Sequence, residues 1–227
     1  MHKFSAIAFL FLILFSCKKV EKTSINLELK KELSEIFYKD QIYRIMQDSA
    51  FSPKDIEFAA RRLKVDPTYF KNNYISWGMQ QDPKNMEEIE KIISKYGYPG
   101  KTLVGEPENN TAFFVIQHSN KIPKYLPLIK REAEKGEIKF ILYAMMLDRY
   151  LMEKGEEQIY GTQGYGFFSK DKSVDFIWPI KNPEKVNELR KKAGFKQTVE
   201  EYAKDLYGND FQYKIYTIEE VKKLQAQ

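Results

Sequence analysis

A mainly α-helical fold carrying one small β-hairpin is what this sequence predicts, and three observations predict it. A capping residue stands directly before a proline at Ser52-Pro53, Asp82-Pro83 and Asn182-Pro183, among other places. That pairing opens helices, because proline is preorganised for the first helical position and its missing N–H costs nothing there. Apolar residues then recur at spacings of three and four, and only after Gly155 does the pattern shorten toward the alternation of strands.

The chain begins with an address. In "MHKFSAIAFLFLILFS" Lys3 supplies a positive start, and the apolar run Phe4 to Phe15 is too short to span a bilayer comfortably. Leu14-Phe15-Ser16-Cys17 resembles the bacterial lipobox, which implies cleavage before Cys17 and a diacylglycerol on its sulfur. The expected organisation is a signal peptide over 1–16, a lipidated Cys17 with a polar tether over 17–25, and a single compact helical domain over 26–227. Location at the bacterial cell envelope, held by the lipid on Cys17, follows from the same resemblance.

The address restricts the chemistry. Cys17 is the one cysteine of the 227 residues, so a lipidated chain has no thiol for disulfides, metals or nucleophilic attack. His2 leaves with the signal, and His118 is then the only imidazole, which excludes zinc sites built from several histidines. No calcium-loop spacing of acids is present, and neither a cofactor nor a metal is expected. Loss of Lys3 lowers the net charge from +5 to +4, with basic and acidic residues interleaved in "KKELSE" and "KREAEKGE". That is a solvated surface, not a nucleic-acid footprint.

The elements follow in order. Leu27 to Gln47 reads as an amphipathic helix with Leu29, Leu33, Ile36 or Phe37, and Tyr43 on one stripe. "SPKDIEFAARRL" is a second helix capped by Ser52. "DPKNMEEIEKIISKYG" predicts a third, capped by Asp82, with Met86, Ile89, Ile92 and Ile93 inward and Gly97 at its end. "NTAFFVIQH" is a short buried helix, and "PKYLPLIKREAEKG" is helical after Pro127. "EIKFILYAMMLDRYLMEKG" is the central helix, with so little polar face that other elements must surround it. "YGFFSKDKSVDFIWPI" predicts two short strands with a turn at Ser169 to Ser173. Helices over "NPEKVNELRKKAG" and Val199 to Leu206 close the fold.

Four features go beyond what folding requires. Asp40 falls on the apolar stripe of the first helix, with Arg44 one turn on, so both point toward the core, where an ion pair is costly without further partners. Gln117 and His118 end a buried segment, and His118 is the natural proton carrier near neutral pH. Asp148, among Ala144, Met145 and Met152, has to be paired, protonated or facing a pocket; a bridge to Arg44 or Arg190 would serve. In "GEEQIYGTQ", Gln158, Tyr160, Thr162 and Gln163 supply neutral donors and acceptors; alternation would place Gln158, Tyr160 and Thr162 on one side, a ledge for hydroxyls or amides.

The motifs "DQIYR", "DPKN", "KYGYPGKTLVG", "VIQH", "LDR" and "GEEQIYGTQ", followed by "VNELRKKAGF", resemble a bacterial family of unknown function that is frequent among secreted and lipid-anchored proteins. The resemblance spans roughly Leu27 to Tyr202. It implies that Asp40, Arg44, His118, Asp148, Gln158, Tyr160, Thr162 and Gln163 form one site. In an enzyme, His118 would be the acid or base, tuned by Asp148 or Asp40, while Arg44, Gln117 and the Gln158–Gln163 segment hold a small molecule, glycan or peptide. In a binding module the same residues recognise a ligand without turnover. In an interaction protein they are a buried network, and function lies on an outer face.

Overall fold

The computed structural model describes residues 24–48, 51–169 and 172–226. The leader, Cys17 and the tether up to residue 23 lie outside the described residues. The chain folds mainly into helices: α1 (Leu27–Asp48), α2 (Pro53–Leu63), α3 (Pro67–Tyr96), α4 (Lys101–Val104), α5 (Thr111–Gln117), α6 (Ile122–Glu134) and α7 (Phe140–Glu153). A hairpin of β1 (Gly164–Ser169) and β2 (Lys172–Ile177) follows, then α8 (Val186–Ala193), α9 (Val199–Tyr207) and α10 (Ile218–Gln225). No described helix is long and apolar enough to cross a membrane.

The stripe read from α1 is the buried one. Leu29, Leu33, Ile36, Asp40 and Tyr43, spaced by four, three, four and three residues, are all at most 5 % exposed. The aliphatic members join α4, α5, α6, α7 and the second half of α3 in the largest core, around Ile89, Phe113, Ile116, Ile122, Ile129 and Met146. Each such side chain contributes about 1.5–3 kcal/mol by leaving water. The opposite flank of α1 presents Ile42 to a smaller cluster with Ala59, Ala60 and Phe70 from α2 and α3. Along α7 every residue with a described environment before Glu153 is buried or half-buried, as its composition requires.

Three helix starts differ from the sequence reading; the simplest is α8, which begins at Val186 after a 3-10 turn over Pro183–Lys185, with no cap hydrogen bond from Asn182. The third helix begins at Pro67 behind an Asp66 cap, fifteen residues before Asp82-Pro83, and Pro83 lies inside it. The buried positions Phe70, Gly78, Asn85, Met86, Ile89 and Ile92 run straight through the proline, so burial of one continuous face overrides the local start signal. The departure from helical dihedrals falls at Asn73 (φ −135°), whose side chain donates to the Tyr69 carbonyl at 2.9 Å. Likewise α6 starts at Ile122 with Pro123 in its first turn, and Pro127 sits in its interior.

The hairpin pairs Gly164 with Ile177 through Ser169 with Lys172 in antiparallel register. Phe176 and Trp178 pack under Val221 of α10, and Ile177 and Ile180 pack with Val186, Val199 and Ala203 of α8 and α9. Helix α10 was not expected from the sequence, although Thr217 and Glu220 form a reciprocal capping box at its start.

Candidate functional site

Two polar constellations occupy different parts of the fold. The first is built where α1, α3 and the end of α5 meet. Gly78 lets α1 and α3 approach closely: a Cβ there would overlap the Tyr43 ring. Tyr43 lies over that gap, and one turn further along α3 its hydroxyl donates to Asp82 Oδ2 at 2.6 Å. Arg44 stacks on the same ring, 4.4 Å from its centroid, and donates through Nη2 to Asp82 Oδ2 at 2.8 Å. Its distance to Asp40 Oδ1 is 3.8 Å.

Asp40 is 1 % exposed, and its carboxylate meets the His118 ring: Oδ2 lies 3.0 Å and Oδ1 3.3 Å from Nδ1. Gln41 Nε2 donates to Oδ2 at 2.6 Å. Arg44 Nε also stands 3.0 Å from His118 Nδ1. These two neighbours demand opposite tautomers, since Nδ1 either donates to the carboxylate or accepts from the guanidinium. Each bond has an ionised partner, so both are charge-assisted; a lone pair on Nδ1 would face both carboxylate oxygens, at 3.0 and 3.3 Å, whereas a proton there would face one guanidinium N–H. The two oxygens favour the tautomer protonated at Nδ1, which leaves Nε2 with its lone pair. Nε2 makes no hydrogen bond among the described residues.

His118 lines an open cleft of about 280 Å³ with Asp82, Pro83, Met86, Glu87, Ser119, Asn120 and Lys121. Here the sequence reading missed a member: Asp82, taken for a helix cap, is a wall of this cleft. Its pKa is raised to about 6 by burial, with the nearby Asp40 charge adding to the rise and Arg44 and His118 opposing it. Ionising near 3.8 when unfolded and about 6 when folded, Asp82 lends its full stabilisation below pH 4 and loses it as pH rises through 6. Asp82→Asn is expected to flatten the urea-midpoint profile between those values by about 1–2 kcal/mol after solvent screening. Identical profiles for the two proteins would contradict this.

The second constellation surrounds Asp148 on α7, which is fully buried. Its Oδ1 accepts from the N–H groups of Ile159 (2.8 Å) and Tyr160 (3.1 Å); its Oδ2 accepts from Thr162 N–H and Thr162 Oγ1, both at 3.0 Å. Burial raises its pKa and these donors oppose the rise. Every partner is a donor, the set a carboxylate requires. Asp148 forms no ion pair with Arg44 or Arg190 among the described residues. Instead Arg190, 2 % exposed, donates through Nη1 to the carbonyls of Tyr160 (2.9 Å) and Gly161 (3.2 Å). The Gly161–Thr162 peptide thus lies between the two charges, its oxygen on Arg190 and its N–H on Asp148.

Gly161 bends the segment at φ +64°, so it does not alternate as a strand would. Gln158 is completely buried: its amide donates to the carbonyls of Gln163 (3.0 Å) and Trp178 (2.7 Å), and its oxygen accepts from Gln163 N–H (2.9 Å). Gln163 Nε2 donates to Thr162 Oγ1 at 3.0 Å. Tyr160 is half-buried beside Phe195, and Tyr202 donates to the Thr162 carbonyl at 2.9 Å. The residues singled out from the sequence therefore fall into two sets. Asp40, Arg44 and His118 stand together at the cleft, with Gln117 half-buried beside them in sequence and its side chain outside any hydrogen bond among the described residues. Asp148, Gln158, Thr162 and Gln163 satisfy one another in a buried clasp. No hydrogen bond or ion pair between described residues joins the sets.

A family of unknown function, DUF6624, matches residues 72–215, well over half of the chain, and the protein belongs to that family. The matched range takes in Asp82, His118 and the whole Asp148 clasp, and begins after the helix that carries Asp40 and Arg44. No curated protein and no solved structure matches the chain.

Proposed function

We propose that this member of the DUF6624 family is a lipid-anchored protein of the bacterial cell envelope that binds a small polar molecule in the His118 cleft and is equipped to move a proton there. The observation carrying this reading is the Asp40–His118 pair. A buried carboxylate on Nδ1 fixes the ring's tautomer and orientation, and leaves Nε2 as an acceptor on the lining of a cleft. A hydroxyl, amine or water held at Nε2 can pass its proton to the ring, and Asp40 stabilises the imidazolium that results. Arg44 ties that pair to Asp82, a carboxyl of the cleft lining. The Asp148 clasp serves the same reading from a distance, by fixing the segment after α7 against α8 and the hairpin.

The test compares wild type with His118→Gln in a screen of envelope saccharides, peptides and their hydrolysis. The variant keeps a carboxamide in place of the ring and is expected to leave the urea midpoint within about 1 kcal/mol of wild type, since the side chain is partly solvated. Loss of a turnover while binding survives identifies an acid–base enzyme; partial loss of affinity without turnover in either protein identifies a binding module. Unchanged binding and activity in the variant refutes the assignment to this cleft. The anchor is tested separately: Cys17→Ser is expected to release the chain from membranes into the soluble fraction.

A further inference from the structure

We infer that the end of the domain where α1 begins and α3 stops rests on the bilayer, with Ile25, Leu27 and Tyr96 in the lipid interface and the His118 cleft held away from it. This rests on the reading of Cys17 as the lipid-bearing residue. The chain enters the domain at a fixed point: the Asn26 N–H donates to the Leu103 carbonyl at 2.9 Å, and Asn26 Oδ1 accepts from the Leu29 N–H at 3.0 Å. Nine peptide links separate Cys17 from Asn26, a reach of about 30 Å at full extension, so the anchor keeps this end close to the lipid. Helices α1 and α3 run antiparallel, with Lys39 meeting Glu88 (3.6 Å) and Tyr43 meeting Asp82 (2.6 Å). Tyr96, the last residue of α3, therefore comes to the same end, where it lines one groove with Ser24, Thr102 and Leu103.

This end carries apolar groups that the core does not use. Leu27 is 72 % exposed, and Ile25 and Tyr96 are exposed beside it, while the inward stripe of α1 is supplied by Leu29, Leu33 and Ile36. The Lys95 ammonium lies 4.7 Å from the Tyr96 ring centroid, an aromatic body with a basic head that suits the depth of lipid headgroups. The opposite end also exposes apolar side chains, Ile45, Ile75 and Met79. The tether decides between them. Ile45 stands nineteen residues beyond Asn26, about 28 Å along the helix, so the tether would have to lie straight along all of α1 to bring that end to the lipid. With the near end down, Arg44 is about 25 Å along α1 from Leu27, and the ligand of the cleft arrives from water. Acids and bases are mixed at the start of α1 (Glu28, Lys30, Lys31, Glu32), so the contact depends on apolar insertion and not on lipid charge.

The test uses the full lipidated protein with one added cysteine, Leu27→Cys, Tyr96→Cys or Met79→Cys, all at exposed positions. Lipid blocks the Cys17 sulfur, so the added thiol alone takes an environment-sensitive fluorophore. The labelled proteins are bound to phosphatidylethanolamine–phosphatidylglycerol vesicles with and without nitroxide-bearing lipid. Labels at positions 27 and 96 are expected to shift to the blue and to be quenched several times more strongly than the label at 79, with the difference surviving added salt. Position 96 is decisive, because position 27 adjoins the tether in any orientation. Quenching at 96 no stronger than at 79, in protein that floats with the vesicles, overturns the orientation and leaves the anchor standing. Protein that does not float with the vesicles removes the anchor, and the orientation falls with it.

Discussion

Asp148→Ala is expected to destabilise the fold by about 3–5 kcal/mol, the largest effect of any single change to the polar groups described above. The side chain is fully buried and accepts from three backbone N–H groups and one hydroxyl. Each donor left unpaired in a dry site costs about 1–3 kcal/mol, partly relieved by relaxation. Arg190 would also lose the carboxylate it faces across the Gly161–Thr162 peptide, although the two charges form no direct ion pair. Asp148→Asn keeps one acceptor but turns an amine toward the remaining donors, so it is expected to recover only part of the loss. Equilibrium urea unfolding measures both. A loss below about 1 kcal/mol for Asp148→Ala would mean that solvent or other groups reach those donors, and the clasp would then be open to a ligand after all.

Gly161→Ala is expected to cost about 2–4 kcal/mol by a different route. The residue sits at φ +64°, where an L side chain loses about 1–2 kcal/mol. A Cβ there would also stand 2.8 Å from Val199 Cγ2 and 2.9 Å from Ile180 Cδ1, and overpacking adds about 1–3 kcal/mol. Gly194 provides the control: it is left-handed at φ +98° and ψ 9°, but nothing lies within 4 Å of the added carbon. Gly194→Ala should show the backbone cost alone, about 1–2 kcal/mol. Equal losses for the two variants, read from urea midpoints, would show that the contacts to Val199 and Ile180 relax freely.

The contrast between the two constellations explains how much of the molecule could be read from its sequence. Periodicity is a local property, and α1 obeys it: the stripe that buries Leu33 and Ile36 buries Asp40 too, so an inward carboxylate was legible from spacing alone. Asp82 was not. The dipeptide Asp82-Pro83 is a strong start signal, and it loses here to the apolar face that runs from Phe70 to Ile92 across it. The aspartate's role comes from Tyr43 and Arg44, nearly forty positions earlier, and local pattern carries no trace of that meeting.

The segment around Gly161 misleads for a related reason. Its side chains advertise hydrogen bonding, yet its backbone N–H groups do as much of the binding, and they reach Asp148 because of one positive φ. Side-chain composition identifies a polar segment; it does not say which way the peptide groups face. The readable clue was the pairing of a lone carboxylate on an apolar helix with a glycine-hinged stretch a dozen residues on. Helix α10 had a plainer signal, the Thr217–Glu220 box, whereas four-residue α4 offers too few positions for any period to register.

The central claim is that Asp40 holds His118 with Nδ1 protonated and Nε2 available to the cleft. Long-range proton–nitrogen correlation of the His118 ring, at a pH where the ring is neutral, tests it directly. The expected spectrum has a protonated Nδ1 and an unprotonated Nε2, and in Asp40→Asn the balance moves toward the other tautomer. A neutral ring protonated at Nε2 in the wild-type protein would mean that Nδ1 accepts from Arg44 instead. His118 would then offer the cleft a hydrogen-bond donor and no base.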